Sequence, residues 1–233
     1  PELVRQLTNK PVMVALTHGH IDHAGGMDQF EEVYLHPADF AMAQAVTPEE
    51  RGGYVDTMLS MSDGIYSVTR YDVVVPKTRA RLLPLQGGTY LHLGNRDVMV
   101  FDTPGHTPGG LSYLDKKERL LFSGDACNMN TLLAAMGQPA TERTCVTALK
   151  QTAEKLEALH PYYDRHYNGH IGYADAKSCM PMPECLVRDC IALCENLLAG
   201  TIVGEKVENP FCGECRLARN NTMQIVYRDD QVK

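Results

Sequence analysis

The chain has 233 residues, 44% of them hydrophobic and 22% charged, with a formal net charge of −7 from 29 acidic against 22 basic side chains. That balance describes one folded chain with a substantial core and no disordered or low-complexity block. It leaves no basic stripe to displace counterions from nucleic acid, and no apolar run reaches the roughly 20 residues that span a bilayer, so neither partner is expected.

In chain order, Glu2 to Asn9 reads as the end of a helix, and the apolar run Val12-Met13-Val14-Ala15-Leu16 after Pro11 reads as a buried strand. Past the Gly25-Gly26 turn, Val33 to Leu35 predicts a second strand, and Ala38 to Val46 a helix opened by Pro37. Thr47 to Arg81 carries Met58, Met61, Ile65 and Tyr66 among polar residues and predicts short helices over the mouth of a site, an insertion of the kind that selects substrate. Short strands follow at Thr89–Leu93, Asp97–Phe101, Leu111–Leu114 and Leu120–Phe122, parted by Gly-Asn and Asp-Lys-Lys turns, which is the pattern of an antiparallel meander. Thr141 to His160 and Pro183 to Leu198 carry apolar residues at helical spacing. No repeat or linker marks a boundary, so residues 1–233 read as a single domain, with residues 179–233 a cysteine-rich C-terminal extension of it.

The chemistry concentrates in Thr17-His18-Gly19-His20-Ile21-Asp22-His23, where three imidazoles and a carboxylate follow directly on an apolar run. Imidazole nitrogen and carboxylate oxygen bind zinc at roughly 2.0–2.2 Å, and alternate residues of an extended segment project to one side, so His18 and His20 suit one ion while Asp22 and His23, past the bend, suit another. Two ions need more ligands than one loop supplies. Pro104-Gly105-His106, Ser123-Gly124-Asp125 and Asn168-Gly169-His170 offer them at strand ends, each with a glycine before the ligand. A single His or Asp after a glycine is ordinarily a loop residue; the ordered set is not.

These segments, together with Thr103-Pro-Gly-His106-Thr-Pro-Gly, resemble the ordered motifs of the metallo-β-lactamase superfamily, over Pro1 to about Tyr173. The resemblance implies an α/β fold, an αββα sandwich, with its site at one edge between the sheets. It implies two divalent ions: His18, His20 and His106 on the first, Asp22, His23 and His170 on the second, and Asp125 bridging both. Zinc is the metal expected, with iron and manganese as alternatives, because the second position is His20 rather than the Glu of the flavodiiron branch. Family members normally carry two or three strands before the first helix, and this chain starts too late for them. A segment missing from the chain shown, or a partner chain, is expected to supply those N-terminal strands, and a homodimer is one further arrangement.

The implied reaction is attack by a metal-bridging hydroxide on the ester, thioester or lactone bond of a small molecule, with Asp22 shuttling the proton and Tyr173 donating to a substrate oxygen. Thr103 to Gly109 is similar to the segment in both hydroxyacylglutathione hydrolases and acyl-homoserine lactonases and does not choose between them. Two rival readings stand beside this one: a persulfide dioxygenase-like enzyme with a single iron, and a non-catalytic metal-binding module. His36, His92, His160 and His166 lack ligand spacing and read as surface or internally satisfied histidines. Six of the eight cysteines (Cys179, Cys185, Cys190, Cys194, Cys212 and Cys215) lie in the C-terminal quarter. A chain this long needs no disulfide scaffold, so they read as reduced thiols in a cytoplasm. Cys190, Cys194, Cys212 and Cys215 could alternatively close a four-thiolate zinc site, and Cys212-Gly-Glu-Cys215 alone has the spacing of a redox pair.

Overall fold

The computed structural model describes residues 2–61, 67–74, 77–133, 139–170 and 180–233, and the chain divides into two compact units, Pro1–Leu85 and Gln86–Lys233. The first unit runs α1 (Glu2–Leu7), α2 (Ile21–Ala24), β1 (Glu32–Leu35), α3 (Phe40–Ala45), α4 (Pro48–Ser60) and β2 (Arg81–Pro84). β1 and β2 pair in parallel, with Val33 opposite Leu82 and Leu35 opposite Pro84. The core of this unit is Ala24, Met27, Val33, Leu35, Ala43 and Ala80, with Val14, Leu16, Phe40 and Leu82 packed against it.

Val12 to Leu16, expected as a strand, forms only a single parallel bridge, Ala15 to Tyr34, in which Leu16 N–H donates to Tyr34 O at 2.9 Å and Tyr34 N–H to Val14 O at 2.8 Å. Among the described residues no strand pairs with its other edge, and Val12 and Met13 are 39% and 44% exposed. An apolar run becomes a regular strand when it is hydrogen-bonded and covered, and here the cover is one-sided. Thr47 to Arg81 is helical as expected, holding a 13-residue helix, α4, and a short 3-10 helix at Arg70–Asp72. Thr47 Oγ1 accepts from the Glu50 N–H, the Glu50 carboxylate accepts from the Thr47 N–H, and Pro48 takes the first turn, so the helix is capped and pre-set at its start. Ile65 and Tyr66 lie outside the described residues.

The second unit runs β3 (Tyr90–His92), β4 (Asp97–Asp102), β5 (Leu111–Asp115), β6 (Leu120–Phe122), β7 (Asn130–Leu132), α5 (Val146–Ala158), β8 (Arg165–Tyr167), α6 (Leu186–Leu198), β9 (Glu205–Asn209), β10 (Gly213–Arg219) and β11 (Gln224–Tyr227). The meander is as the turns predict, β3 to β6 pairing antiparallel in sequence order. β8 then joins β6 in parallel, with Leu121 opposite His166. A second sheet has the order β7-β11-β10-β9. Its three C-terminal strands are therefore woven into the unit, and Ala218, Ile225 and Tyr227 share one core with Leu114 and Leu121 of the meander, Leu149 and Leu156 of α5, and Leu193 of α6. No helix among the described residues is long and apolar enough to cross a membrane.

Candidate metal centre

In the first unit the histidine loop begins where the Ala15 bridge ends. The Gly19 N–H donates to Asp39 Oδ2 at 3.0 Å, and Asp39 is wholly buried beside α3. A Cβ at Gly19 would sit 2.8 Å from the Asp39 carbonyl oxygen, so no larger residue fits between His18 and His20. The helical turn of α2 then carries Asp22 and His23. The three imidazoles cluster: the His18 ring lies 4.9 Å from His20, edge to face, and 4.0 Å from His23, so His18 is closer to His23 than the alternation argument implies. His23 Nε2 is 3.5 Å from Asp22 Oδ2. Sequence reasoning missed Asp39, whose contribution is a buried carboxylate twenty residues away in sequence on a backbone N–H. Groups that orient a ligand in this way are commonly worth about tenfold or more in metal affinity. Asp39→Ala is therefore expected to lower metal retention at least about tenfold in a competition with a chelator; unchanged retention would show that the loop holds its own shape.

In the second unit two imidazoles gather on one carboxylate. Asp125 Oδ2 is 3.5 Å from His106 Nε2 and 2.9 Å from His170 Nε2. His106 Nδ1–H donates to the Leu132 carbonyl at 2.5 Å, which commits Nδ1 to the backbone and leaves Nε2 facing Asp125. The turn before His106 is held under α5: Gly105 has φ +144° and its Cβ position is 3.2 Å from Leu149 Cα, while Thr152 Oγ1 donates to Pro104 O at 2.6 Å. Asp125 sits on a short turn after β6, and His170 on the loop after β8, where the Asn168 side chain accepts from the His170 N–H at 3.0 Å.

Because β6 and β8 are neighbours, the two loops leave the same end of adjacent strands. Their junction is stitched twice, by Ser123 N–H to Tyr167 O at 2.9 Å and by His166 Nε2 at 2.7 Å from Ser123 Oγ. Burial pushes His166 down to about 4, so it is neutral at physiological pH. His166 thus satisfies the loop that carries Asp125. Of the other histidines, His36 Nδ1 accepts from Ala38 N–H, His92 pairs with Asp97 at the surface, and His160 stacks edge-on against Tyr163. Tyr173 lies outside the described residues, as does Cys179.

The sequence profile described as the metallo-beta-lactamase superfamily matches residues 3–129. The chain belongs to this superfamily. It is 33% identical over 141 residues to the acyl-coenzyme A thioesterase MBLAC2 of Homo sapiens, covering 57% of this chain and 47% of that protein. It is 26% identical over 115 residues to a hydroxyacylglutathione hydrolase of Bartonella quintana, covering 48% and 32%. The crystal structure of the BLEG-1 B3 metallo-beta-lactamase aligns at TM-score 0.43 and 26% identity, covering 72% of each chain. The chain spans about half the length, or less, of these curated relatives.

For a metallo-β-lactamase superfamily member the donor chemistry fits divalent metal. Each unit presents imidazole nitrogens beside a carboxylate, a set that suits zinc, iron or manganese, and the His106 Nδ1 bond orients its ring as metal-binding histidines are usually oriented. The four-thiolate zinc site is not formed. Cys190 and Cys194 of α6 are buried in the core with Cys127, and the Cys190 thiol is raised well above its usual range by hydrogen bonds with Cys127 and Cys194 and by burial. Cys212 meets Cys215 at the β9–β10 turn instead. Helix spacing placed Cys190 and Cys194 on the apolar face, and that face packs inward.

Proposed function

We propose that this chain is a metal-dependent hydrolase of small-molecule acyl bonds, cleaving an ester, thioester or lactone. Its proposed metal ligands are His18, His20, Asp22, His23, His106, Asp125 and His170. The observation that carries this reading is the Asp125 carboxylate, with one oxygen within 3.5 Å of both His106 and His170. Divalent ions bound by such ligands supply a water acidified toward neutral pH and polarise the scissile carbonyl. Two ions, zinc first and iron or manganese as alternatives, match the number of ligands.

The chain's own residues do the rest. His106 holds its Nε2 in position through the Leu132 carbonyl, and Asp125 offsets charge between two imidazole-bearing loops. Asp22, beside His23 and with its side chain 24% accessible, is proposed to carry the proton to the leaving group at Oδ2. A thioester is the first substrate class to test, since that bond is named in the acyl-coenzyme A thioesterase relative. Tyr173 is proposed as a hydrogen-bond donor to substrate, so Tyr173→Phe should cost about tenfold at most, the upper value of one neutral hydrogen bond.

The deciding experiment loads the full chain separately with zinc, manganese and iron and offers an acyl-coenzyme A, a lactone, a phosphodiester and a persulfide. Metal-dependent thioester or lactone turnover supports the proposal. Oxygen uptake with the persulfide in the iron form, without acyl cleavage by any form, would replace it with a dioxygenase.

A further inference from the structure

A second chemical feature lies at the turn joining β9 to β10. The Cys212 thiol donates to Cys215 Sγ at 3.0 Å, and Cys215 in turn donates weakly to the Val207 carbonyl. The turn around them is held by hydrogen bonds: Cys212 N–H and the Phe211 N–H donate to the carbonyl and side-chain oxygens of Asn209, and the strands continue in register with Cys215 opposite Val207. Cys212 is half-buried and Cys215 buried, so one sulfur is within reach of a small reagent while the other waits behind it. The remaining described thiols differ. Cys127, Cys190 and Cys194 are sealed in the core, Cys145 is buried, and Cys185 is exposed, with weak contacts to the Thr222 hydroxyl and the Asp189 carboxylate.

We propose that Cys212 and Cys215 form a dithiol modification site that closes to an intramolecular disulfide on reaction with a low-molecular-weight disulfide. Cys212, as thiolate after losing its proton to water, attacks one sulfur of the reagent, forming a mixed disulfide and releasing one small thiolate, which takes up a proton. Cys215 loses its proton and attacks Cys212 Sγ, expelling the second small thiol. Two cysteines are oxidised by two electrons in total, and one reagent disulfide is reduced to two thiols. The bond ties residues already in contact, so it fixes the β9–β10 turn without moving the strands. Burial, followed by the neighbouring Cys215, pushes the Cys212 thiol up to about 12. Thiolate is then scarce at neutral pH, so closure is slow there and gains about tenfold in rate per pH unit; the same high thiol pKa makes Cys212 a poor leaving group and the closed form hard to reduce.

The test uses the whole folded chain in buffers of stepped oxidised-to-reduced glutathione ratio, quenched with an alkylating agent and mapped by peptide mass. The expected result is a Cys212–Cys215 linked peptide two hydrogens lighter than the dithiol, forming about tenfold faster at pH 8 than at pH 7. Exposed Cys185 gains a glutathione adduct in the same samples and reports that the reagent is active. In Cys215→Ser the adduct should accumulate on Cys212, where no partner remains to resolve it. The proposal is overturned if Cys185 reacts while Cys212 and Cys215 remain alkylatable in fully oxidised buffer, or if a glutathione adduct on Cys212 persists in the unsubstituted chain.

Discussion

Asp125→Asn is expected to lower turnover of an activated thioester by at least ~100-fold while leaving the fold intact, the scale of losing a charge that acts on the reacting centre. The side chain stands against both His106 and His170, so its charge serves two ligand loops at once. An amide preserves the shape and the contacts of the short turn after β6 but carries no negative charge to set against bound cations. Metal content should fall together with activity, measured by elemental analysis after gel filtration. Full turnover with an undiminished metal complement in Asp125→Asn would refute the assignment of this carboxylate. Tyr173→Phe measured alongside gives the scale of a single substrate contact.

Acid should destabilise the second unit through a residue that touches no proposed ligand. His166 is held down to about 4 by burial, whereas an unfolded histidine titrates near 6.5. Between those two values the unfolded chain binds a proton that the folded chain refuses, so stability is complete above about 6.5 and is lost as the pH falls toward 4. The full difference is about 3 kcal/mol, of which about 2 should be gone by pH 5. The comparison to make is urea denaturation of the metal-free chain and of His166→Gln at pH 7 and pH 5, since every other carboxylate and histidine titrates alike in both. His166→Gln should be weaker at pH 7, having lost its fit to Ser123, yet lose about 2 kcal/mol less on acidification. Equal pH slopes in the two proteins would mean that His166 is solvated in the fold.

The meeting of three candidate donors was legible because metal chemistry restricts residue type and favours strand ends, and Asp125, His106 and His170 do meet at the ends of β6, β4 and β8 despite their separation in sequence. The meander from Tyr90 to Phe122 was legible for a local reason: its pairing partners are sequence neighbours. Several of the strands that escaped notice have remote pairing or a polar pattern, although the local β10–β11 pair escaped as well. β7 pairs with β11 and β8 with β6 in parallel across long intervals. β9, Glu-Lys-Val-Glu-Asn, is an edge strand with little apolar signal. Val12 to Leu16 erred the other way, because composition reports how apolar a segment is and not how many sides of it are covered. Asp39 escaped, and His166 was read as a satisfied histidine without its partner, because each reaches a histidine- or aspartate-bearing loop through a long-range hydrogen bond that nothing in a sequence marks.

The parallel pairing of β6 with β8 also orders events during folding. Asp125 and His170 are 45 residues apart in sequence and meet only when that remote strand pair zips, which requires closing a long loop before any contact rewards it. His18, His20, Asp22 and His23 are near one another in any conformation, folded or not. A growing or unfolded chain therefore already holds four of the seven proposed ligands near one another, while the other three meet only in the finished second unit. If these residues hold metal as proposed, metal offered early would be taken up by the local set, and such binding to the unfolded chain would reduce the stability that metal adds to the native one.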